Sequence, residues 1–129
     1  MLLELVAHRL GQVVTAPGGL GGECVDWTNV YLESLGRPLI HANAIEWSRL
    51  EVKGFAWTAN TPYNAPTLGS LVVWREWSLH SIGPSGHIAI AIAADNLVLV
   101  TVDQNWPDGA PVRLVVHDYG GVLGWHRPL

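Results

Sequence analysis

The chain has 129 residues, 49 % of them hydrophobic and 14 % charged, with a formal net charge of −4. This length suits a single domain spanning residues 1–129, and the apolar share excludes wholesale disorder. Seven scattered lysines and arginines exclude the clustered cations of a nucleic-acid surface, and no apolar run reaches the roughly 18–20 residues of a membrane span.

Leu2, Leu3, Leu5, Val6 and Leu10 predict a short amphipathic helix that Gly11 stops. Residues 15–22, TAPGGLGG, break any periodic element. In CVDWTNVYLESLG, which follows at once, Cys24, Trp27, Tyr31 and Leu35 recur at helical spacing, and Gly36 and Pro38 end the run. A third short helix is expected over 42–50, with Ile45 and Trp47 inward, and FAWTANTP, which holds Trp57, reads as a loop. The second half changes to period two, with strands expected over 71–74, 87–92, 96–106, 112–117 and 122–126. Helices first and an antiparallel meander second make the α+β pattern. Of Trp27, Trp47, Trp57, Trp74, Trp77, Trp106 and Trp125, roughly four or five are expected in the core and the others at a cleft.

A single cysteine excludes an intramolecular disulfide and a multi-cysteine zinc site. Cys24 opens a helix behind a glycine-rich loop, where free N–H groups and the helix dipole favour a thiolate. The same residue would serve equally as a small buried apolar side chain, so a base and an orienting partner must also be found. The strands over 87–92 and 97–105 supply both. Ile88, Ile90 and Ile92 share one face, and His87, Ala89, Ala91 and Ala93 the other. A three-residue turn of Ala94, Asp95 and Asn96 would pair Ile88 with Val102 and set His87 opposite Asp103, with Asn105 further along the same face. A five-residue turn would set His87 against Thr101 and leave Asp103 on the diagonal. The alanine face is shallow enough for a helix to pack closely on it.

At these residues the sequence resembles the CHAP family, the cysteine- and histidine-dependent amidohydrolases and peptidases of phage endolysins and bacterial wall hydrolases. The resemblance rests on GGECVDWTNVYLESLG, then GHIAIAI, then VTVDQNW, with support from AIEW, APTLGSLVVW and VLGWHRPL. It covers about residues 15–128. It implies a papain-like α+β fold that cleaves amide bonds of peptidoglycan, with Cys24 matching the nucleophile and His87 the general base. Asp103 stands where many members have glutamate, and Asn105 matches an asparagine two places on. Glu23 stands where glutamine is common, so an oxyanion donor there must be a backbone N–H. Some members bind calcium through aspartates before the cysteine; residues 11–22 hold no Asp or Glu, so no metal or other cofactor is expected.

Trp57 and Trp106 are the candidates for contacting substrate. His8, His41, His80, His117 and His126 lack metal-ligand spacing and read as surface or structural residues. Asp26 and Glu33 read as the solvated face of the Cys24 helix. The expected function is therefore a peptidoglycan amidase or endopeptidase, acting in phage lysis or as a virion enzyme. A secreted antibacterial amidase effector, or a non-catalytic wall-binding or virion structural module of the same fold, are the alternatives. MLLELVAHRL carries Glu4 and lacks a basic leader, so synthesis in the host cytoplasm and action on the wall after release, or within a phage particle, are expected. A separate wall-binding or virion partner chain would supply the anchoring that an acidic domain lacks.

Overall fold

A computed structural model describes residues 1–77 and 83–129. His80 lies outside the described residues. Three short helical elements precede six strands: α1 (Leu2–Arg9), α2 (Cys24–Ser34), a 3₁₀ helix (Ala44–Arg49), β1 (Phe55–Ala59), β2 (Leu71–Trp74), β3 (His87–Ala94), β4 (Leu99–Asp103), β5 (Arg113–His117) and β6 (Val122–Pro128). No helix among the described residues is long and apolar enough to cross a membrane.

The α-helices form where their apolar spacing places them. Leu2 and Val6, one turn apart, are the buried positions of α1. Along α2, Trp27, Val30, Tyr31 and Leu32 are buried, and Gly36 ends the helix with φ +68. The third element is a 3₁₀ helix rather than an α-helix, and it buries Trp47 completely.

The strands form one antiparallel sheet in the order β1-β6-β2-β3-β4-β5. β2 to β5 are the expected meander. β6 then crosses back to lie between β1 and β2, so the sheet is not a simple meander throughout. β1 is the strand that the sequence reading placed in a loop. FAWTA buries only Phe55 and exposes Trp57 and Ala59, so this short segment carries no clear period of two, and its pairing partner β6 is the last strand of the chain.

The two faces of the sheet bury different cores. Leu71, Val73, Ile88, Ile90 and Val102 pack with α2, including Trp27, Val30, Tyr31 and Leu32. Trp27 is fully buried and its indole N–H donates to the Val102 carbonyl at 3.0 Å. On the opposite face Val72, Trp74, Ala89, Ala91, Leu99, Val122 and Trp125 form a second cluster. The expectation of a helix against the alanine face is therefore corrected. Indole rings from β2 and β6 fill the space the alanines leave, and α2 packs on the branched face instead.

The β3–β4 register also differs from both sequence expectations. Ile90, not Ile88, pairs with Val102, and Ala91 with Thr101; the register then shifts between Ala91 and Ala93, so that Ala94 pairs with Leu99. The cause is local. Asp95 Oδ1 accepts the N–H groups of Leu97 (2.8 Å) and Val98 (2.9 Å), which closes a four-residue turn over 95–98. A bulge at Ile92 reconciles that turn with the branched face. Continued towards β4's end, this register sets Asp103 across from Ala89 and leaves His87 on the diagonal.

Gly86, just before β3, has φ +72, and a Cβ there would lie 2.5 Å from the Trp74 carbonyl oxygen. Both facts demand glycine. Gly86→Ala is expected to cost about 1–3 kcal/mol of stability, read as a lower urea midpoint. An unchanged midpoint would show that the start of β3 shifts freely.

Candidate active site

Cys24 is the first residue of α2, 8 % exposed, and the chain's single thiol. Two buried polar side chains fix the loop in front of it. The Asp26 carboxylate accepts the N–H of Ala16 at 3.0 Å through Oδ1, and those of Gly21 (3.0 Å) and Glu23 (3.1 Å) through Oδ2. Asp26 is 2 % exposed, which corrects its reading as part of a solvated helix face; Glu33 is exposed as expected. Gln104 is fully buried at the end of β4. Its Oε1 accepts the Val14 N–H at 2.7 Å, and its Nε2 donates to the carbonyls of Val14 (3.0 Å) and Glu23 (2.8 Å). The loop is thus held on one side by α2 and on the other by the sheet. Sequence reasoning missed Gln104; a long polar residue ending a buried apolar strand was the available signal.

His87 opens β3 and is 3 % exposed. Its Nε2–H donates to Asp103 Oδ2 at 2.7 Å, and Cys24 lines the same cleft and acts on its titration. With Nε2 taken by the carboxylate, Nδ1 is the nitrogen left for sulfur. Asp103 ends β4 and is fully buried. Two further donors reach it: His117 Nε2 from β5, 2.9 Å from the same Oδ2, and Thr101 Oγ1, which donates to Oδ1. The pairing of His87 with Asp103 was legible in the sequence, but it is diagonal across the strands rather than direct. His117, read from the sequence as surface or structural, is fully enclosed at this carboxylate.

Asn105 occupies a different position. Its backbone is left-handed, φ +63, a conformation asparagine tolerates better than most residues. Its Nδ2 donates to Glu23 Oε2 at 3.1 Å, and its Oδ1 accepts the Gly109 N–H at 2.6 Å. It therefore ties the residue before Cys24 to the 105–109 turn, and Asp103 is the residue bonded to His87. That turn carries Trp106, whose ring centroid lies 5.5 Å from that of His87.

Cys24, His87, Asn105 and Trp106 line one cleft of about 800 Å³. Trp57 is apart from it. It sits on edge strand β1, 37 % exposed, with its ring 4.8 Å from His126. Trp27, Trp47, Trp74 and Trp125 are the buried tryptophans. Glu23, Glu46 and Asp108 are the carboxylates on the cleft wall besides Asp26, and no lysine or arginine lines it among the described residues.

The loop before Cys24 does not suit a cation. The loop before Cys24 aims N–H groups, not oxygens, at its centre, and both Asp26 oxygens are occupied by them. A calcium site needs six to eight oxygen ligands, so the residues present do not fit one. His87, Asp103 and His117 offer ligand atoms within 4.8 Å of one another. There both imidazole Nε2 atoms lie at direct hydrogen-bond distance from one carboxylate oxygen, 2.7 and 2.9 Å.

A family model described as CHAP domain matches residues 15–105. Among solved structures, the wild-type endolysin LysIME-EF1 superposes with a TM-score of 0.82 at 27 % identity, covering 98 % of this chain and 62 % of that one. Ly7917 gives a TM-score of 0.70 at 17 % identity, over 98 % of this chain and 60 % of that one. Ly7917 with the hydrolysing product of MDP gives 0.69 at 19 %, with the same coverage. The chain thus spans about three fifths of the length of the structures it matches. The last two likenesses are of fold alone. No curated protein matches the chain in sequence. Its fold is α+β and papain-like, with the helices on one face of the antiparallel sheet.

Burial by itself disfavours a charged imidazole. At His87 the hydrogen bonds to Asp103 and Cys24, and the charges on both, outweigh it and lift the pKa from 6.5 to about 9. Burial likewise opposes the Asp103 charge, but the hydrogen bonds from His117 and His87 hold its carboxyl below the usual 3.8. A raised histidine value stabilises the fold fully below 6.5 and loses that contribution as pH rises through about 9. A lowered carboxyl value acts in the other direction: its contribution is complete above 3.8 and lost as pH falls further. Between these limits both are complete. The gap in melting temperature between the wild type and His87→Ala is therefore expected to be widest near pH 5–6 and to narrow towards pH 9–10, which a thermal denaturation series measures.

Proposed function

The chain belongs to the CHAP family, and from that premise we propose that it is the catalytic domain of a peptidoglycan hydrolase. Cys24 is the nucleophile, His87 the general base and acid, and Asp103 the group that orients His87. The observation that carries this reading is the His87–Asp103 hydrogen bond set behind a cleft that Cys24 and His87 line together. The endolysin likeness supports the wall as substrate. The setting is phage lysis or a virion-borne enzyme acting on the cell wall after release.

His87 Nδ1 takes the thiol proton, and the imidazolium is held between the thiolate and the Asp103 carboxylate. Sulfur adds to the amide carbonyl carbon. The oxyanion that forms meets the first N–H groups of α2, which have no partner within the helix, and the positive end of its dipole. Glu23 has no side-chain N–H to add, so this stabilisation comes from the backbone. Collapse of the intermediate breaks the C–N bond as His87 returns its proton to the leaving amine. Water then attacks the thioester with His87 as base, the carboxylic acid departs, and the thiolate is restored. Trp106, beside His87, offers an apolar wall for the substrate chain. Glu23, Glu46 and Asp108 favour an amine-bearing peptide over an anionic polymer.

Cys24→Ser is expected to keep the far-UV circular dichroism spectrum and to abolish clearing on a peptidoglycan zymogram. Wall binding without fragment release by the wild type would identify a binding module instead. In Asp103→Ala, turnover is expected to fall by about 10²–10⁴, whereas Asn105→Ala, which touches Glu23 rather than His87, is expected to lose far less. Mass spectrometry of the fragments distinguishes the bond: both cuts free a peptide amine, but a new carboxylate on a peptide residue marks an endopeptidase and one on the muramyl group an amidase.

A chelator tests the donor arrangement around Asp26. EDTA is expected to leave melting temperature and lysis rate unchanged. A loss restored by calcium would mean that the 15–23 loop rearranges to present oxygens.

A further inference from the structure

His117 stands outside the series described above, yet its placement is as constrained as that of His87. It ends β5, is fully enclosed, and directs Nε2 at Asp103 Oδ2 from 2.9 Å, while His87 Nε2 reaches that oxygen from 2.7 Å. Its ring lies 4.7 Å from the Trp74 ring and 6.0 Å from the Trp106 ring, so it is confined between two indoles. The titratable groups facing it are Asp103 on β4 and His87 on β3, whose ring centroid is 6.4 Å away. A side chain needed only to fill this space would be apolar, because an imidazole enclosed there must find a partner for its N–H.

We infer that His117 is a positioning residue for the proposed reaction, holding Asp103 so that one carboxylate oxygen stays aimed at His87 whichever charge state His87 adopts. The inference rests on Cys24 and His87 being the reacting pair. A carboxylate with a single donor on Oδ2 can turn about its Cβ–Cγ bond when that donor changes charge. Here Thr101 holds Oδ1 and His117 holds Oδ2, so the oxygen facing His87 cannot swing away. The hydrogen bond from His117 also heads the contributions that keep the Asp103 carboxyl ionised. His117 does not itself line the cleft, and its hydrogen bond to Asp103 is its route to the reacting pair.

The readout is alkylation of Cys24 by iodoacetamide across pH, which requires no peptidoglycan. His117→Leu removes the donor, and its alkylation profile is expected to move up by about one pH unit, a roughly tenfold lower rate on the acid limb with the alkaline plateau retained. His117→Gln keeps an N–H near the Nε2 position and is expected to restore the acid-limb rate to within about threefold. A space-filling role would lower the melting temperature of both variants and leave the profile in place, and that result would overturn the inference. Should His117→Leu fail to fold, proton NMR of the whole chain decides. The His117 imidazole N–H signal, assigned by its loss in His117→Gln, is expected to move upfield and exchange faster in Asp103→Asn. An unmoved signal would also overturn the inference. Failure of wall lysis with a shifted alkylation profile would instead remove the peptidoglycan assignment and leave the His117 role standing.

Discussion

A carboxylate without solvent contact is stable in a protein interior only when donors surround it. Asp103 has three such donors, on three strands or their continuation: His87 from β3, Thr101 from its own strand and His117 from β5. Each donor sets a condition on the sheet. The β3–β4 register must bring His87 within diagonal reach, and β5 must lie beside β4 to deliver His117. The bulge at Ile92 and the Asp95 turn are what satisfy the first condition. The same cluster fixes the His87 tautomer, and with it the nitrogen presented to Cys24.

A second group of buried polar contacts places the thiol. Asp26 and Gln104 together occupy the backbone groups of a glycine-rich loop that has no regular structure of its own. Glycine lets the loop turn tightly, and the two side chains remove the freedom that glycine introduces. Gln104 adjoins Asp103 on the chain, so the residue that anchors the cysteine loop and the residue that orients the histidine move together. The two halves of the proposed site are thereby joined through one strand end, far apart as they are in sequence.

The remaining features follow from leaving one side of this assembly open. Asn105 turns the chain through a left-handed residue straight after the buried pair, which carries Trp106 to the cleft wall and ties Glu23 to the same turn. A series that is buried on the carboxylate side and open on the thiol side suits a reaction in which a polymer approaches from solvent. The carboxylate side stays dry throughout, where a hydrogen bond to an ion is strongest.

The sequence by itself determined the α+β class, the helix that Cys24 opens, the five strands it predicted to within about three residues at each end, and the placement of His87 and Asp103 on neighbouring strands. These depend on local periodicity, breaker residues and short-range spacing, which a linear chain displays directly. The tertiary structure decided what those signals cannot contain. β1 is a strand because β6 returns to pair with it, and the 3₁₀ helix is set by packing under the sheet. The register depended on a bulge that alternation alone does not reveal. Asp26 read as solvated, His117 as surface or structural, and Gln104 was passed over, because a polar side chain carries no mark of its burial. Its partners lie 10 residues away for Asp26 with Ala16, 90 for Gln104 with Val14 and 14 for His117 with Asp103, and only the packed sheet brings donor and acceptor within bonding distance.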